Sequence, residues 1–158
     1  MSDSRPDRGR WLHAMGAPED SGPFDILAHS FGVRANDTYE LFAAPAVDEA
    51  ANTLTFDVLV HGTRYQEPQD TVHAEIDALS TGGPLVIAPE PDNQRDPRAH
   101  AVHAPSGQRL GYVPAPVLDY LEEYCPITGH FSAATLRVNP NELGAHLRLV
   151  MRLTYNSR

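Results

Sequence analysis

The clearest periodicity in the chain begins at Leu54. Leu54, Phe56, Val58 and Val60 alternate with Thr55, Asp57 and Leu59, the signature of a half-buried strand. The spacing then changes. Val72, Ile76 and Leu79 recur at i, i+4 and i+7, which predicts a helix capped by Asp70 and stopped by Gly82-Gly83. Strands are predicted at 84–88, 99–104 and 108–113. The last two form a hairpin, because Pro105-Ser106-Gly107 suits a turn closed by a glycine of positive φ. A second helix carries Val117, Leu118, Leu121 and Tyr124 on one face and ends at Pro126. Strands near 133–138 and 146–155 complete the pattern. In the latter, Leu147, Leu149, Met151, Leu153 and Tyr155 alternate with His146, Arg148, Val150, Arg152 and Thr154. The expected core holds Phe56, Val58, Leu85, Ile87, Leu110, Leu121, Leu149 and Met151.

Residues 1–23 carry no such period. They are rich in Ser, Asp, Arg, Gly and Pro, and read as a disordered tail in which Trp11-Leu12 has the option to dock. Residues 24–52 are ambiguous: Phe24, Ile26 and Leu27, then Tyr39, Leu41 and Phe42, suit short strands, and the Ala-rich stretch 43–51 suits a linker or a poor helical turn. The ordered domain is expected at 53–158. Many short strands, two short helices and frequent Gly or Pro turns predict a mainly β domain. A small antiparallel barrel or a sandwich both fit that pattern.

Composition narrows the function. A chain of 158 residues supports one core and little room for a second. The net charge of -9, with arginine as the sole basic type besides histidine, argues against broad binding to duplex backbone, which needs many cations. The single cysteine, Cys125, excludes an internal disulfide and a multi-cysteine zinc site, so a reducing cytoplasm is expected. No run of apolar residues is long enough to span a membrane, and Met1 to Arg10 does not read as a secretory signal. With no lysine, a phosphate-binding P-loop is impossible, and no G-x-S-x-G elbow occurs. The eight histidines lack metal-ligand spacing; His100 and His103, three apart in a strand, point to opposite faces. No catalytic residue, cofactor or metal is therefore expected. Arg148, Arg152 and His146 would project from the polar face of the last strand, with Arg137 beside them, as a solvated face or a nucleic-acid surface.

One ordered set of motifs goes further. Val60-His61-Gly62-Thr63-Arg64-Tyr65 precedes the apolar run Pro84-Leu85-Val86-Ile87-Ala88. Glu90-Pro91-Asp92-Asn93-Gln94-Arg95-Asp96-Pro97-Arg98-Ala99 follows, and then Gly107-Gln108-Arg109-Leu110-Gly111-Tyr112-Val113-Pro114. From about residue 58 to residue 124 this order resembles the HIRAN domain, an accessory module of Swi/Snf-type helicase-like translocases that also occurs alone in short bacterial proteins.

The resemblance implies an OB-like barrel with helices packed on it, and a pocket for the 3′ end of single-stranded DNA. Arg64 and Tyr65 fall on the family's Arg-Tyr pair, Asp96 on its loop aspartate, and Tyr112 on the aromatic after the glycine. Two positions depart from the family: Arg95 replaces a loop aromatic, and Ala115 replaces a lysine. Arg95 can lay its guanidinium on a base, face solvent or pair with Asp92. Each residue also has a purely structural reading. Asp96 and Asn93 suit turns, Tyr65 and Tyr112 suit half-buried barrel positions, and Glu90 need only be extended before Pro91. The expected function is a non-catalytic module that binds single-stranded DNA or a free 3′ end, in repair or processing. The alternative is an adaptor that docks onto a separate enzyme.

Overall fold

The structure is a computed structural model that describes residues 6–30, 42–125 and 129–157. The chain divides into two compact units, Met1–Ala44 and Pro45–Arg158. In the first, α1 (Arg8–Met15) and α2 (Pro23–Ser30) occupy segments whose composition predicts a tail and short strands. Two local devices favour α1. Gly16 adopts φ 77° and closes its C-terminus, and Asp7 accepts a hydrogen bond from the Trp11 indole at 2.9 Å. Leu12, Ala14 and Met15 are buried. In α2, proline stands at the first helical position, where its missing N–H costs nothing. The expectation for Tyr39 and Leu41 lies outside the described residues.

The second unit is mainly β. Its strands are β1 (Ala46–Asp48), β2 (Thr53–Leu59), β3 (Pro84–Pro89), β4 (His100–His103), β5 (Arg109–Tyr112), β6 (His130–Val138) and β7 (Leu149–Asn156). They form one sheet in the order β1-β2-β7-β6-β3-β4-β5, and the pairings are antiparallel. Past Leu59 the chain meets β5 at one bridge, where His61 and Tyr112 exchange backbone hydrogen bonds of 3.0 and 2.9 Å. A residue just past β2, second in that order, can reach β5, the last, only if the sheet curls round on itself. Closure is thus narrower than the expected barrel: among the described residues no strand ladder closes the sheet, and one isolated bridge joins the segment after β2 to β5. Gly111 makes that approach possible, since a Cβ there would lie 2.4 Å from the His61 carbonyl oxygen.

Two α-helices accompany the sheet, α3 (Gln69–Ala78) and α4 (Ala115–Tyr124). α3 buries Val72 and Ile76. It starts one residue before Asp70, which lies in the first turn and does not cap it, and it stops at Ala78 rather than at the glycine pair. Val117, Leu118 and Leu121 of α4 are buried, whereas Tyr124 is exposed and touches Tyr120 at a ring separation of 4.9 Å. The hairpin forms as predicted, with Gly107 at φ 93° donating to Ala104 O at 2.9 Å.

Of the expected core, Phe56, Val58, Leu85, Leu110, Leu121, Leu149 and Met151 are buried; Ile87 is half-buried. The strand predicted at 146–155 begins only at Leu149, after a short 3-10 turn at Ala145–Leu147. That shift corrects the expected basic face. Arg148 is buried, donating to Asn139 O and, at 2.7 Å, to Asp77 Oδ1. Arg152 does face solvent, but Asp57 holds it through two bonds of 2.8 Å. These arginines are tied to carboxylates and do not form a free cationic surface.

Candidate functional site

The curled sheet leaves a cleft of about 690 Å³ at the His61–Tyr112 bridge. Three segments supply its walls: the 3-10 turn Thr63–Tyr65 after β2, the β3–β4 loop, and the end of β5 running into α4. Tyr65, Arg95, Asp96 and Tyr112 all line it, although they come from three separate stretches of the sequence. Arg64 does not line the cleft. It stacks on the Tyr65 ring, 4.5 Å from the centroid, and donates to the Tyr65 hydroxyl. Ala115, at the position where the family carries lysine, also faces the cleft.

The β3–β4 loop is shaped by its own side chains. Asn93 Oδ1 accepts from the backbone N–H of Arg95 at 3.0 Å and of Asp96 at 3.3 Å, which folds the loop around one amide. Asp96 Oδ1 accepts from the backbone N–H of Arg98 at 2.9 Å and from its guanidinium at 3.2 Å. The Arg98 backbone bond, reinforced by the Arg98 side chain, holds the Asp96 carboxyl below its ordinary value. Asp96 Oδ2 has a weaker 3.4 Å contact and keeps acceptor capacity. Arg98 also reaches Asp119 at 2.6 Å and Glu122 at 2.7 Å, tying the loop to α4. The turn role and a ligand role for Asp96 are therefore compatible. Arg95 forms no ion pair with Asp92 among the described residues and lies along the cleft.

Glu90, for which the sequence asks only an extended backbone before Pro91, has a larger role in the structure. Its carboxylate accepts from Asn93 Nδ2 at 3.0 Å, Arg109 Nη1 at 2.9 Å and the Tyr112 hydroxyl at 3.1 Å. Burial alone would raise its pKa. The bonds from Asn93, Arg109 and Tyr112, with the Arg109 charge, outweigh that and hold it below the ordinary value. Burial and the bond to Glu90 raise the Tyr112 phenol in turn. Arg109 Nε donates to Gln66 Oε1 at 2.6 Å, and Gln66 Nε2 donates to Gly62 O at 3.0 Å. One hydrogen-bonded chain thus joins all three walls. Its only hint in the sequence was the fixed order of the motifs.

The two aromatics differ. The Arg109 guanidinium lies over the Tyr112 ring, 5.5 Å from its centroid, and the phenol is held by Glu90. Tyr65 is 64% exposed, so its ring is the more open platform for a flat ligand. His61 lines the cleft in neutral form, because burial lowers its pKa to about 4. No cluster of three metal-ligating side chains occurs among the described residues, and no helix among them is long and apolar enough to cross a membrane.

No curated protein compared with the chain matches it. Two solved structures are similar. One is a protein from Lactobacillus plantarum, at 18% identity and TM-score 0.44, covering 66% of this chain and 99% of that one. The other is the HIRAN domain of human HLTF, at 16% identity and TM-score 0.42, covering 66% of this chain and 74% of that one. The HIRAN domain family model matches residues 53–151, a span that runs from the start of β2 into β7 and contains every residue lining the cleft. The chain belongs to the HIRAN domain family.

Proposed function

We propose that this protein is a non-catalytic module that binds single-stranded nucleic acid through the cleft and prefers a free DNA 3′ end. The observation that carries this reading is the gathering of Tyr65, Arg95, Asp96 and Tyr112, from three separate stretches of the sequence, around one opening of about 690 Å³. That volume lies within the usual range of about 300–1,000 Å³ for small-ligand clefts, room enough for a terminal nucleotide. Tyr65 supplies a face on which any base can stack, worth about 1–3 kcal/mol. Asp96 accepts a hydrogen bond from a terminal hydroxyl and repels a phosphate in the same place. Arg95 stands at hand for the last phosphates, to which a guanidinium fork is well matched, while Arg64 backs the Tyr65 ring from outside the cleft. A role in DNA repair or processing within the cytoplasm fits such a ligand, with any helicase or nuclease activity residing in a separate enzyme.

The test is a titration of fluorescent oligonucleotides ending in 3′-hydroxyl or 3′-phosphate, at two salt concentrations. Binding should be modest and favour the hydroxyl. The salt slope should be shallow, about 0.7 of a log unit for each phosphate neutralised. Asp96→Ala should erase the end preference, and Tyr65→Ala should weaken all single-strand binding. Equal affinity for both ends would remove the end-binding claim. No binding at low salt would leave the adaptor as the better reading.

A further inference from the structure

We infer that Arg109 is the fixed phosphate-binding cation of the cleft, held ready by Glu90 and Gln66; the assignment rests on the nucleic-acid reading above. The formal charges of the cleft cancel: Glu90 and Asp96 against Arg95 and Arg109, with His61 neutral. Attraction for a phosphate must therefore come from where the positive charges sit, not from their sum. The two guanidiniums differ in how they are held. Arg95 projects from a loop and makes no ion pair among the described residues. Arg109 stands on β5, with Nε bonded to Gln66 Oε1 at 2.6 Å, Nη1 bonded to Glu90 Oε1 at 2.9 Å, and its plane over the Tyr112 ring.

These contacts engage Nε, Nη1 and one face of the guanidinium. Nη2 has no protein partner among the described residues, and the side chain is 44% exposed and lines the cleft. A guanidinium pre-oriented in this way loses little rotamer freedom when it meets an anion, so most of the contact appears as affinity. Ala115, also in the lining, adds no cation. The same geometry allows a second role, in which Arg109 is only a strut that keeps Glu90 and Tyr112 in place. The two roles make opposite demands on Glu90. A strut fails alike when either end is removed. A phosphate-binding arginine gains when the carboxylate that competes for it is neutralised.

The experiment compares Arg109→Gln, Arg109→Lys and Glu90→Gln with wild type, using a fluorescent 3′-hydroxyl oligonucleotide across a salt series. Circular dichroism of each variant checks the fold, and Arg109→Lys keeps bulk and charge at the position. Arg109→Gln should weaken binding roughly tenfold at low salt, as expected for loss of a charge-assisted hydrogen bond. It should also lower the salt slope by about 0.7 of a log unit. Arg109→Lys should retain the slope while losing part of the affinity. Glu90→Gln should tighten binding, by roughly fivefold if the carboxylate lies about 4 Å from the phosphate in a water-like dielectric. If Arg109→Gln and Glu90→Gln weaken binding equally and the slope does not move, Arg109 is a strut; the assignment is then wrong while the nucleic-acid reading stands. Absence of wild-type binding overturns both.

Discussion

Gly111→Ala tests whether the single bridge between His61 and Tyr112 closes the domain and seats the cleft. The added methyl would lie 2.4 Å from His61 O and 2.6 Å from Val60 Cγ1, both well inside an ordinary contact of about 3.5 Å. One strand must retreat by about 1 Å. That lengthens the two bridge hydrogen bonds, now 2.9 and 3.0 Å, beyond useful range. Two such bonds contribute about 1–3 kcal/mol together. Overpacking a tight site costs about 1–3 kcal/mol more, so the expected loss is about 2–6 kcal/mol. Urea denaturation followed by far-ultraviolet circular dichroism at neutral pH reads it directly. Gly107→Ala is the control: it sits at φ 93° with nothing within 4 Å, so only backbone strain of about 1–2 kcal/mol applies. A Gly111→Ala midpoint at or above that of Gly107→Ala would refute the claim that close approach at the bridge governs stability.

Leu110→Ala removes a side chain with no exposed surface and should cost about 2–5 kcal/mol, visible as a clearly lower melting temperature. Asp77→Ala strands the buried Arg148 guanidinium and should cost about 2–3 kcal/mol. That lies between the value for an exposed pair and the value for a fully buried one, because the Asp77 side chain is itself 65% exposed; a loss under about 0.5 kcal/mol would show that water replaces the carboxylate. His61 contributes a pH dependence of definite sign. Its folded pKa of about 4 lies below the unfolded value of about 6.5, so the unfolded chain binds the extra proton. Stability is therefore full above pH 6.5 and falls as the pH drops toward 4, by about 2 kcal/mol, discounted because the ring is only half-buried. Denaturant midpoints between pH 7 and pH 4 should converge with those of His61→Gln at the acid end; parallel curves would contradict the assignment.

What the sequence determined by itself was local. Alternation at Leu54, Phe56, Val58 and Val60 marked β2, and the turn at Gly107 marked the β4–β5 hairpin, because both depend on residues a few positions apart. The ordered motifs singled out Tyr65, Asp96 and Tyr112, which the fold brings to one cleft. Where local signals competed, pattern misled. Arg148 reads as an outward position in a strand from 146, yet a 3-10 turn at Ala145–Leu147 resets the phase and buries it against Asp77, 71 residues away. α1 and α2 form in segments that composition marks as a tail and short strands, helped by a C-terminal glycine cap and a helix-initiating proline. The cleft itself was decided only by tertiary structure. Gln66 and Arg109, 43 residues apart, and Glu90 and Tyr112, 22 apart, meet because the sheet curls far enough for the bridge to form. That curl is set by antiparallel pairing between distant strands and by the missing side chain at Gly111, and neither leaves a periodic trace in the chain.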